Sequence, residues 1–425
     1  MLKTPPKLRP LQKAGAAFLS KHPKAYLAMR MRLGKSATAL QQAKPGTTTL
    51  IVCPVSVLYH WAREVELWRP DLSVEVLRTG RAKQGKTDVV VVPYSILVPL
   101  LQKGSLKKPH YLIVDEVHYA KDFKAKRTKA VCHLIKNAER VAALTGTPIP
   151  NRVIELYPVL NAMGAEFART KISFGVRYCD AKQSPWHPGL DYTGASNLEE
   201  LRDKLTEWMF FSSGGYTAPV TTVFELEGKV SAEERMLIES VDWTAEDPKI
   251  PFEHLSLIRR MTGEDKLKPA TQHILDCLED KAKVVVFAHH TALIENLQLE
   301  LERNGIEAVR LTGSMKSADR EAAVERFQTD EHCRVFIGNI QAAGEGISLA
   351  AADHCVFVEQ DWKPGSMDQA AARIETADMD RTTTIDYLVK RGGIDSKLLA
   401  KIQEKREITQ QALHDRGAIN TGEKS

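Results

Sequence analysis

Short runs of β-branched and other apolar residues recur along the chain, separated by stretches of helical character. Six runs are apolar at nearly every position, and they occupy residues 48–52, 88–92, 111–114, 283–288, 335–337 and 354–358. Near-continuous apolar runs of this length are typical of strands that are buried on both faces of a parallel sheet. Because helical stretches lie between the runs, the sequence predicts an α/β fold in which helices flank mostly parallel sheets.

The six runs form two groups, and the gap between the groups predicts two domains. Three runs lie before residue 115 and three lie after residue 282. The segment Ser212-Ser-Gly-Gly-Tyr-Thr-Ala-Pro219 between them is rich in residues that interrupt regular structure. The 425 residues also suffice for two to three domains of about 150 residues each. We therefore predict an N-terminal lobe over residues 1–216 and a C-terminal lobe over residues 217–425.

Capping signals mark some of the helices between the strands. Ser196 and Ser231 are each followed three residues later by a glutamate, which is the spacing of a capping box. Another helix, with leucines at helical spacing, is predicted to end at Asn304-Gly305, since glycine often follows a helix C-terminus.

Composition excludes several classes of protein. Apolar residues make up 43% of the chain, and 59 Lys and Arg nearly balance 54 Asp and Glu, which excludes a disordered or collagen-like chain. No apolar run approaches the roughly 18 residues of a membrane span. The N-terminal segment has no apolar signal region, so we expect a cytoplasmic protein without membrane association. The six cysteines lie too far apart for metal-ligand spacing, which favours reduced, mostly buried thiols over a zinc site.

A phosphate-binding loop is indicated by Leu33-Gly34-Lys35-Ser36, which precedes a run of helix-forming residues. Such a loop presents backbone N–H groups to phosphates, a lysine to the β- and γ-phosphates and a hydroxyl to Mg²⁺. The first glycine of the standard pattern would fall at Met29, so the strict pattern is not met. The tripeptide alone also occurs by chance.

An acidic pair, Asp115-Glu116, follows the apolar run at residues 111–114. The carboxyl ends of parallel strands are where α/β sheets bind ligands. Asp115 would hold Mg²⁺, and Glu116 would orient or deprotonate the attacking water. The alternative is a solvated acidic turn, which the lysine loop upstream makes less attractive.

Basic residues are concentrated after the first two strands. Residues 101–140 hold ten Lys and Arg against four acids, a local excess of six, although the whole chain carries only +5. Lys121, Lys124, Lys126, Arg127 and Lys129 follow the acidic pair closely. This segment is either a solvated face or a contact surface for nucleic-acid phosphates, and the second would weaken steeply with salt.

Taken together, these motifs resemble those of superfamily-two helicases, and within them the Swi/Snf class of double-stranded DNA translocases. The resemblance extends from about residue 8 to residue 406. In the first half it rests on Leu8-Arg-Pro-Leu-Gln12, the Lys35 loop, Cys53-Pro-Val-Ser56 with Trp61 and Glu64, Val92-Pro-Tyr-Ser95, Asp115-Glu-Val-His118 and Leu144-Thr-Gly-Thr-Pro148. In the second half it rests on Val286-Phe-Ala-His-His290, Leu311-Thr-Gly313, Ser317-Ala-Asp-Arg320, Arg326-Phe-Gln328, Ala342-Ala-Gly-Glu-Gly-Ile-Ser-Leu349, Trp362-Lys-Pro364 and Gln369 to Arg373.

The resemblance implies two RecA-like lobes with the ATP site in the cleft between them, and ATP and Mg²⁺ as cofactors. It assigns catalysis to Lys35, Asp115, Glu116 and Arg373, and Mg²⁺ binding to Ser36 and Asp115. The positions that it marks for ATP are Gln12, Leu33, Gly34, Lys35, Ser36, Gly346 and Arg373. With part of the basic segment added, the positions predicted to contact DNA are Pro54, Ser56, Tyr94, Lys121, Lys124, Lys126, Arg127, Gly344 and Trp362.

A finer resemblance is to the annealing-helicase branch of that class. It rests on Arg177-Tyr-Cys-Asp-Ala-Lys182, Trp186 and Tyr192-Thr-Gly-Ala-Ser-Asn197. The resemblance implies a motor, most simply a monomer, that uses ATP hydrolysis to translocate on, anneal or remodel double-stranded or branched DNA. The compact form is similar to stand-alone bacterial and viral versions, which points to a bacterial or viral-host cytosol.

Three departures from the family pattern stand out. Ala28-Met-Arg-Met-Arg32 replaces a segment that normally carries acids and a glycine, and the loss of glycine at Arg32 restricts the backbone there. Thr376 occupies the position of the second arginine, a finger that contributes roughly 10³–10⁵ in rate where present. Trp208-Met-Phe-Phe211 replaces an arginine pair and is expected to pack at the lobe junction.

These departures keep other hypotheses open. A catalytically damped DNA-binding module would use ATP only as a slow switch. For a working ATPase with Thr376 at the finger position, either Arg373 serves alone, or Arg381 reaches in, or turnover is slow. An RNA helicase is a third reading, which the annealing-helicase motifs make less attractive.

Overall fold

The computed structural model describes residues 5–183, 189–213, 219–228, 230–243, 252–343, 347–376 and 381–413. The chain divides into two compact units, one of Met1–Gly215 with Ile408–Ser425 and one of Tyr216–Glu407. Each unit is built around its own parallel sheet. The predicted α/β class with two mostly parallel sheets flanked by helices is therefore confirmed.

The first unit has a seven-stranded sheet in which every described pairing is parallel. The strands of the sheet are β1 (Lys24–Met29), β2 (Thr49–Cys53), β3 (Val74–Val76), β4 (Val89–Pro93), β5 (Tyr111–Val114), β6 (Arg140–Thr145) and β9 (Met209–Ser212). Two short strands outside the sheet, β7 (Lys182–Gln183) and β8 (Leu190–Asp191), form an antiparallel pair. The order in the sheet is β3-β4-β2-β5-β6-β1-β9. The carboxyl ends of β1, β2, β5 and β6 therefore lie side by side at one edge.

Helices cover both faces of this sheet. They are α1 (Pro10–Lys21), α2 (Lys35–Leu40), α3 (Leu58–Trp68), α4 (Tyr94–Gln102), α5 (Lys126–Asn137), α6 (Tyr157–Met163), α7 (Lys171–Tyr178) and α8 (Leu198–Leu205). Successive strand residues contribute to opposite apolar clusters: Leu50 and Val52 to one, Ile51 and Cys53 to the other. Both faces are thus buried, which explains why the strand sequences are apolar at every position.

The second unit has a six-stranded sheet, again with only parallel pairings among its described strands. Its strands are β10 (Val220–Leu226), β11 (Val284–Ala288), β12 (Glu307–Leu311), β13 (Cys333–Asn339), β14 (His354–Phe357) and β15 (Thr384–Lys390). They lie in the order β10-β15-β14-β11-β13-β12. Two further apolar clusters bury the two faces, and Val285 and Val286 on β11 belong to different ones.

The second unit's helices vary more in length than those of the first. They are α9 (Ala232–Glu239), α10 (Phe252–Asp280), α11 (Thr291–Arg303), α12 (Ser317–Thr329), α13 (Ile340–Ala343), α14 (Pro364–Ala371) and α15 (Ile394–Ala412). The end of α15 is counted with the first unit, where Ala412 and Leu413 are buried in the apolar core. No described helix has both the length and the low charge that a membrane crossing requires.

All six predicted strands are present, with bounds that agree to within two residues. The sequence reasoning missed nine others, seven of them in the two large sheets, and β1 and β6 are two that lie inside the first unit's sheet. Their sequences, KAYLAM and RVAALT, contain two alanines each and no long β-branched run. The residues of these two segments have only a weak intrinsic preference for the strand conformation. Pairing with a neighbouring strand on each side decides that conformation.

The capping predictions have mixed outcomes. Ser231 caps α9 by accepting from the N–H of Glu234 at 3.0 Å, and α11 ends at Asn304-Gly305 with Gly305 at φ 76°, both as expected. The box at Ser196 is wrong, because Asn197 in a left-handed conformation is the N-cap of α8. Ser196 Oγ instead donates to the carbonyl of Arg177 and so fastens α7 to the segment before α8.

The apolar stretch before the inter-unit segment also differs from expectation. Met209 and Phe210 were expected to pack at the lobe junction. They are instead buried on β9, which pairs with β1 in the first unit's sheet. Ser212, expected in the linker, is the last residue of that strand. An edge strand on a parallel sheet needs apolar residues on both faces, and this stretch supplies them.

Candidate nucleotide and nucleic-acid site

The residues predicted for phosphate chemistry lie at the shared carboxyl edge of the first unit's sheet. The lysine loop follows β1, the acidic pair follows β5, and Gly146-Thr147 follows β6, which pairs with both of those strands. Parallel topology therefore brings together three segments that are about 80 and 30 residues apart in sequence. This edge is the position at which α/β sheets bind ligands.

The lysine loop turns through two left-handed residues. Arg32 has φ 62° and Gly34 has φ 85°. At Gly34 a Cβ atom would lie 1.9 Å from Nε2 of Gln12, so this position requires glycine for space as well as for conformation. Arg32 adopts its left-handed conformation at a cost, since side chains other than glycine disfavour it. The backbone at position 32 is thus left-handed even though the residue there is arginine and not glycine.

Gln12 braces this loop from α1. It is buried, its Nε2 donates to the carbonyl of Leu33 at 3.4 Å, and its Oε1 accepts from the N–H of Arg9 at 2.8 Å. Arg9 in turn donates to the carbonyl of Arg32 at 3.1 Å. Gln12, one of the residues predicted to bind ATP, is therefore placed directly against the loop that is predicted to hold the phosphates.

Lys35 begins α2 and folds over the loop. Its Nζ donates to the carbonyl of Met29 at 3.0 Å, and Thr38 Oγ1 holds the carbonyl of Gly34 at 2.9 Å. Ser36, half-buried, follows in the first turn of the helix. Burial raises the pKa of Asp115 and the lysine's charge offsets part of that rise, which indicates that the loop and the acidic pair share one electrostatic environment.

Asp115 is held in a fixed orientation. Its Oδ2 accepts from the indole N–H of Trp61 at 2.8 Å, and its Oδ1 accepts from the N–H of Glu116 at 3.0 Å. Burial, and then the charge of Glu116, raise the pKa of Asp115 to about 6. Trp61 is itself completely buried. Sequence reasoning placed Trp61 in a DNA-contacting motif and missed this contact, which no local spacing signals.

Glu116 adopts a left-handed conformation, φ 47°, and turns toward the loop after β6. His118 Nδ1 lies 3.2 Å from Glu116 Oε2 and 3.3 Å from Thr145 Oγ1. Thr145 Oγ1 also accepts from the N–H of Thr147 at 3.0 Å. A chain of contacts thus connects the candidate water-activating carboxylate with the Thr-Gly-Thr segment.

Tyr94, predicted to contact DNA, lies beneath the acidic pair. It is 6% exposed, and its hydroxyl donates to the carbonyl of Asp115 at 2.8 Å. Its ring stacks on Tyr119 with centroids 5.4 Å apart, and the guanidinium of Arg127 lies 5.3 Å from the Tyr119 ring. The tyrosine pair therefore connects the acidic pair with the basic helix α5.

The basic segment leaves several charges at the surface. Lys124, Lys126 and Arg127 are exposed before and at the start of α5, whereas Lys121 pairs with Glu155 at 3.0 Å. After β2, Pro54 is buried and Ser56 is exposed. These surface groups follow the carboxyl ends of β2 and β5, so the basic face lies along the same edge as the phosphate loop.

The second unit contributes Arg373 just after α14. This half-buried arginine donates from Nη1 to the carbonyl of Ile347 at 3.4 Å, and its own carbonyl accepts from Leu349 N–H at 2.9 Å. Arg381 donates to the carbonyl of Ala350 at 2.6 Å. Both arginines thus contact the segment that follows residues 344–346. Gly344 and Gly346, predicted for DNA and ATP, lie outside the described residues, as does Trp186.

Trp362 and the histidine pair of the second unit have structural partners. Trp362 is half-buried, with its ring 6.3 Å from Trp243 and 4.6 Å from the ammonium of Lys405. Glu359 accepts from the backbone N–H of His290 at 2.9 Å and contacts its Nδ1 at 2.6 Å. Burial opposes ionisation of Glu359, but His290 outweighs it and holds the pKa of that carboxyl at about 2.

Comparison with known families and proteins agrees with this arrangement. The SNF2-related domain matches residues 19–209, and the helicase conserved C-terminal domain matches residues 265–376. The Xenopus laevis protein named SWI/SNF-related matrix-associated actin-dependent regulator of chromatin subfamily A-like protein 1 is 34% identical over 424 residues, which cover 95% of this chain and 44% of that protein. The Bos taurus DNA annealing helicase and endonuclease ZRANB3 is 31% identical, over 96% of this chain and 41% of that protein.

A solved structure, the Sulfolobus solfataricus SWI2/SNF2 ATPase core in complex with dsDNA, aligns with 96% of this chain and 94% of that one. The sequence identity is 20% and the TM-score 0.46. The chain spans less than half the length of the two curated relatives named above. The chain therefore carries an SNF2-related domain followed by a helicase conserved C-terminal domain.

Proposed function

We propose that the chain is a DNA-dependent ATPase motor that acts on double-stranded or branched DNA. The convergence of Lys35, Asp115 and Glu116 at one sheet edge, with Asp115 held by a buried indole, carries this proposal. The name of the Bos taurus relative, DNA annealing helicase and endonuclease ZRANB3, supports DNA as the substrate class.

The donor set fits Mg²⁺. A serine hydroxyl at position 36 and the Asp115 carboxylate are both oxygen ligands, which this cation prefers, and Asp115 is already oriented by Trp61. When bound with ATP, the cation would neutralise charge on the β- and γ-phosphates. Ser36 and Asp115 are the residues that would hold it.

The protein groups have distinct tasks in hydrolysis. Lys35 neutralises the terminal phosphates, and the backbone of residues 32–36 surrounds them. Glu116 orients the attacking water and accepts its proton, while His118, which also contacts Thr145, keeps that carboxylate in place. No covalent enzyme intermediate is required, since positioning and charge neutralisation suffice for phosphoryl transfer.

DNA binding is assigned to the exposed basic residues at the same edge. Lys124, Lys126 and Arg127 carry charge that phosphates can neutralise without reading bases. Because the Tyr94–Tyr119 stack connects Arg127 with the carbonyl of Asp115, a phosphate bound there would be sensed at the catalytic carboxylates. This route would couple DNA binding to ATP hydrolysis.

The test is ATP hydrolysis measured with duplex DNA, forked DNA and RNA as cofactors. We expect stimulation by both DNAs, larger for the fork, and little by RNA. Equal stimulation by RNA would favour an RNA helicase and overturn the assignment of substrate.

A catalytically damped module is the second candidate, because Thr376 replaces the second arginine and Arg381 is engaged by the carbonyl of Ala350. The variant Thr376→Arg separates the two. A rise in turnover of tenfold or more would identify a naturally slow ATPase, and unchanged fast turnover would show that Arg373 suffices. Failure of both proteins to bind ATP would identify a DNA-binding module.

A further inference from the structure

Four polar side chains from three different elements of the second unit meet at one point. His273 and Cys277 lie one turn apart on α10, His354 begins β14, and Asp386 lies on β15. We call this group the His–Cys–Asp cluster. Nothing in the proposed ATPase chemistry uses it.

The distances are those of a compact ligand set. Nε2 of His273 lies 2.9 Å from Oδ2 of Asp386, and Sγ of Cys277 lies 3.9 Å from the same oxygen. The candidate ligand atoms of these three residues all lie within 4.8 Å of one another. In a tetrahedral zinc site with bonds of about 2.0–2.3 Å, ligand atoms are separated by roughly 3.3–3.6 Å. The two separations from Oδ2 of Asp386 would therefore change by a few tenths of an ångström to admit an ion, and the His273–Cys277 separation, which lies within 4.8 Å, by up to about an ångström.

The chemistry of the ligands selects a transition metal. A thiolate and an imidazole are soft or borderline ligands that favour zinc over magnesium or calcium. The thiolate of Cys277 and the carboxylate of Asp386 together carry the charge that balances a divalent cation. Such balance matters because Asp386 is only 3% exposed and Cys277 is half-buried.

His354 has a different place in the cluster. Its Nε2 lies 3.0 Å from Oδ2 of Asp386, while its Nδ1 is buried without a hydrogen-bond partner among the described residues. Ligation through Nε2 would place the imidazole proton on Nδ1, where no described group accepts it. His354 is therefore better placed as a donor that orients the carboxylate of Asp386.

We propose that the His–Cys–Asp cluster binds one divalent transition-metal ion, zinc by ligand type. His273, Cys277 and Asp386 are its ligands, and the fourth position is open to water. His354 is a positioning residue for Asp386. The ring of Phe224, 4.4 Å from that of His273, holds the first imidazole in place. Bound metal would tie α10 to β15.

The first test uses the unmodified chain, stripped of metal with a chelator. We expect one equivalent of Zn²⁺ to bind and to slow alkylation of Cys277 at least tenfold, as mapped by mass spectrometry. Cys132, a half-buried thiol of the first unit, serves as the internal control and should react at an unchanged rate. Equal Cys277 reactivity with and without Zn²⁺ would reduce the cluster to a hydrogen-bonded network and overturn the proposal.

The second test replaces individual side chains and uses Co²⁺ as a spectroscopic probe. The wild type and Cys132→Ser should show a thiolate-to-cobalt charge-transfer band, which Cys277→Ser should lack. His354→Gln should keep the band but weaken metal affinity about 10–100-fold, as expected for a group that orients a ligand. Loss of the band in His354→Gln would instead make that histidine a ligand, and a band retained in Cys277→Ser would contradict the site. These readouts do not depend on ATP hydrolysis, so they stand or fall separately from the proposed motor function.

Discussion

The phosphate edge of the first unit and the His–Cys–Asp cluster of the second are assembled in different ways. Each part of the phosphate edge is a short contiguous motif that follows a strand, such as Gly34-Lys35-Ser36 after β1. In the cluster, Cys277 meets Asp386 across 109 residues, and each element supplies only one or two side chains. Parallel-sheet topology brings motifs together automatically at one edge, whereas the cluster depends on how a long helix packs on its sheet.

This difference determines whether the role of a single polar residue can be inferred from its neighbours in the sequence. At the sheet edge, the neighbours in sequence already suggest the chemistry. Inside the second unit, His290, Lys266 and Lys390 have buried partners that sequence spacing does not identify. We therefore assign catalysis to the edge of the first unit and stability to most of the second unit's internal polar contacts.

The largest expected effect lies at Glu116. Glu116→Gln removes the group that accepts the proton of water, so ATP hydrolysis should fall about 10²–10⁴-fold while ATP binding persists. Phosphate release and nucleotide binding, measured separately, check this. Glu66→Gln, an exposed glutamate on α3, is the matched control and should behave as wild type. If Glu116→Gln hydrolyses ATP at a rate within tenfold of wild type, the assignment of catalysis to the first unit's sheet edge is contradicted.

A buried ion pair of the second unit provides the next effect, this time on stability. Lys266 and Asp395 are 2.7 Å apart with 1% and 5% of their side chains exposed. Asp395→Ala would leave the lysine charge without its carboxylate, which should lower the free energy of unfolding of this unit by about 3 kcal/mol. Hydrogen exchange of the β14 and β15 amides in urea measures this free energy of unfolding. Glu404→Ala breaks a pair with Lys401 whose carboxylate is 44% exposed, and it should change the free energy of unfolding by less than about 1 kcal/mol.

Trp61 tests whether a contact invisible in the sequence matters for catalysis. Trp61→Phe keeps most of the buried ring but removes the indole N–H that donates a hydrogen bond to Asp115. Asp115 would then be less well oriented, and its pKa should rise further because that hydrogen bond lowers it. A hydrogen bond to a charged group is worth about 1.5–3 kcal/mol, which predicts roughly a tenfold or greater loss in turnover and a higher Mg²⁺ requirement. Trp68→Phe in the same helix is the control, and equal activity of both variants would speak against the positioning role.

The smallest effect is expected at the basic surface. Lys124→Ala with Lys126→Ala should weaken DNA binding a few-fold at physiological salt and lower the slope of log affinity against log salt by up to about two. ATP hydrolysis without DNA should not change. Lys83→Ala with Lys86→Ala, which removes two exposed charges before the amino end of β4, should leave the slope as it was. A slope that falls equally in both pairs would show general electrostatics instead of a defined DNA surface.

Sequence reasoning reached the fold class because both faces of the sheets are buried and the strands are therefore continuously apolar. It placed Lys35, Asp115 and Glu116 at one edge because strand ends coincide there. It could not find the alanine-containing strands β1 and β6, which pairing alone specifies. It also missed the Trp61–Asp115 bond and the His–Cys–Asp cluster, since both depend on side chains that packing brings together.

DNA-stimulated phosphate release by the wild type and by Lys35→Ala tests the central assignment most directly. Lys44→Ala, an exposed lysine beyond α2, is the control for loss of one positive charge. If the first unit's edge is the ATPase site, stimulated release should collapse in Lys35→Ala and persist in Lys44→Ala. Equal release by the wild type and Lys35→Ala would contradict the account.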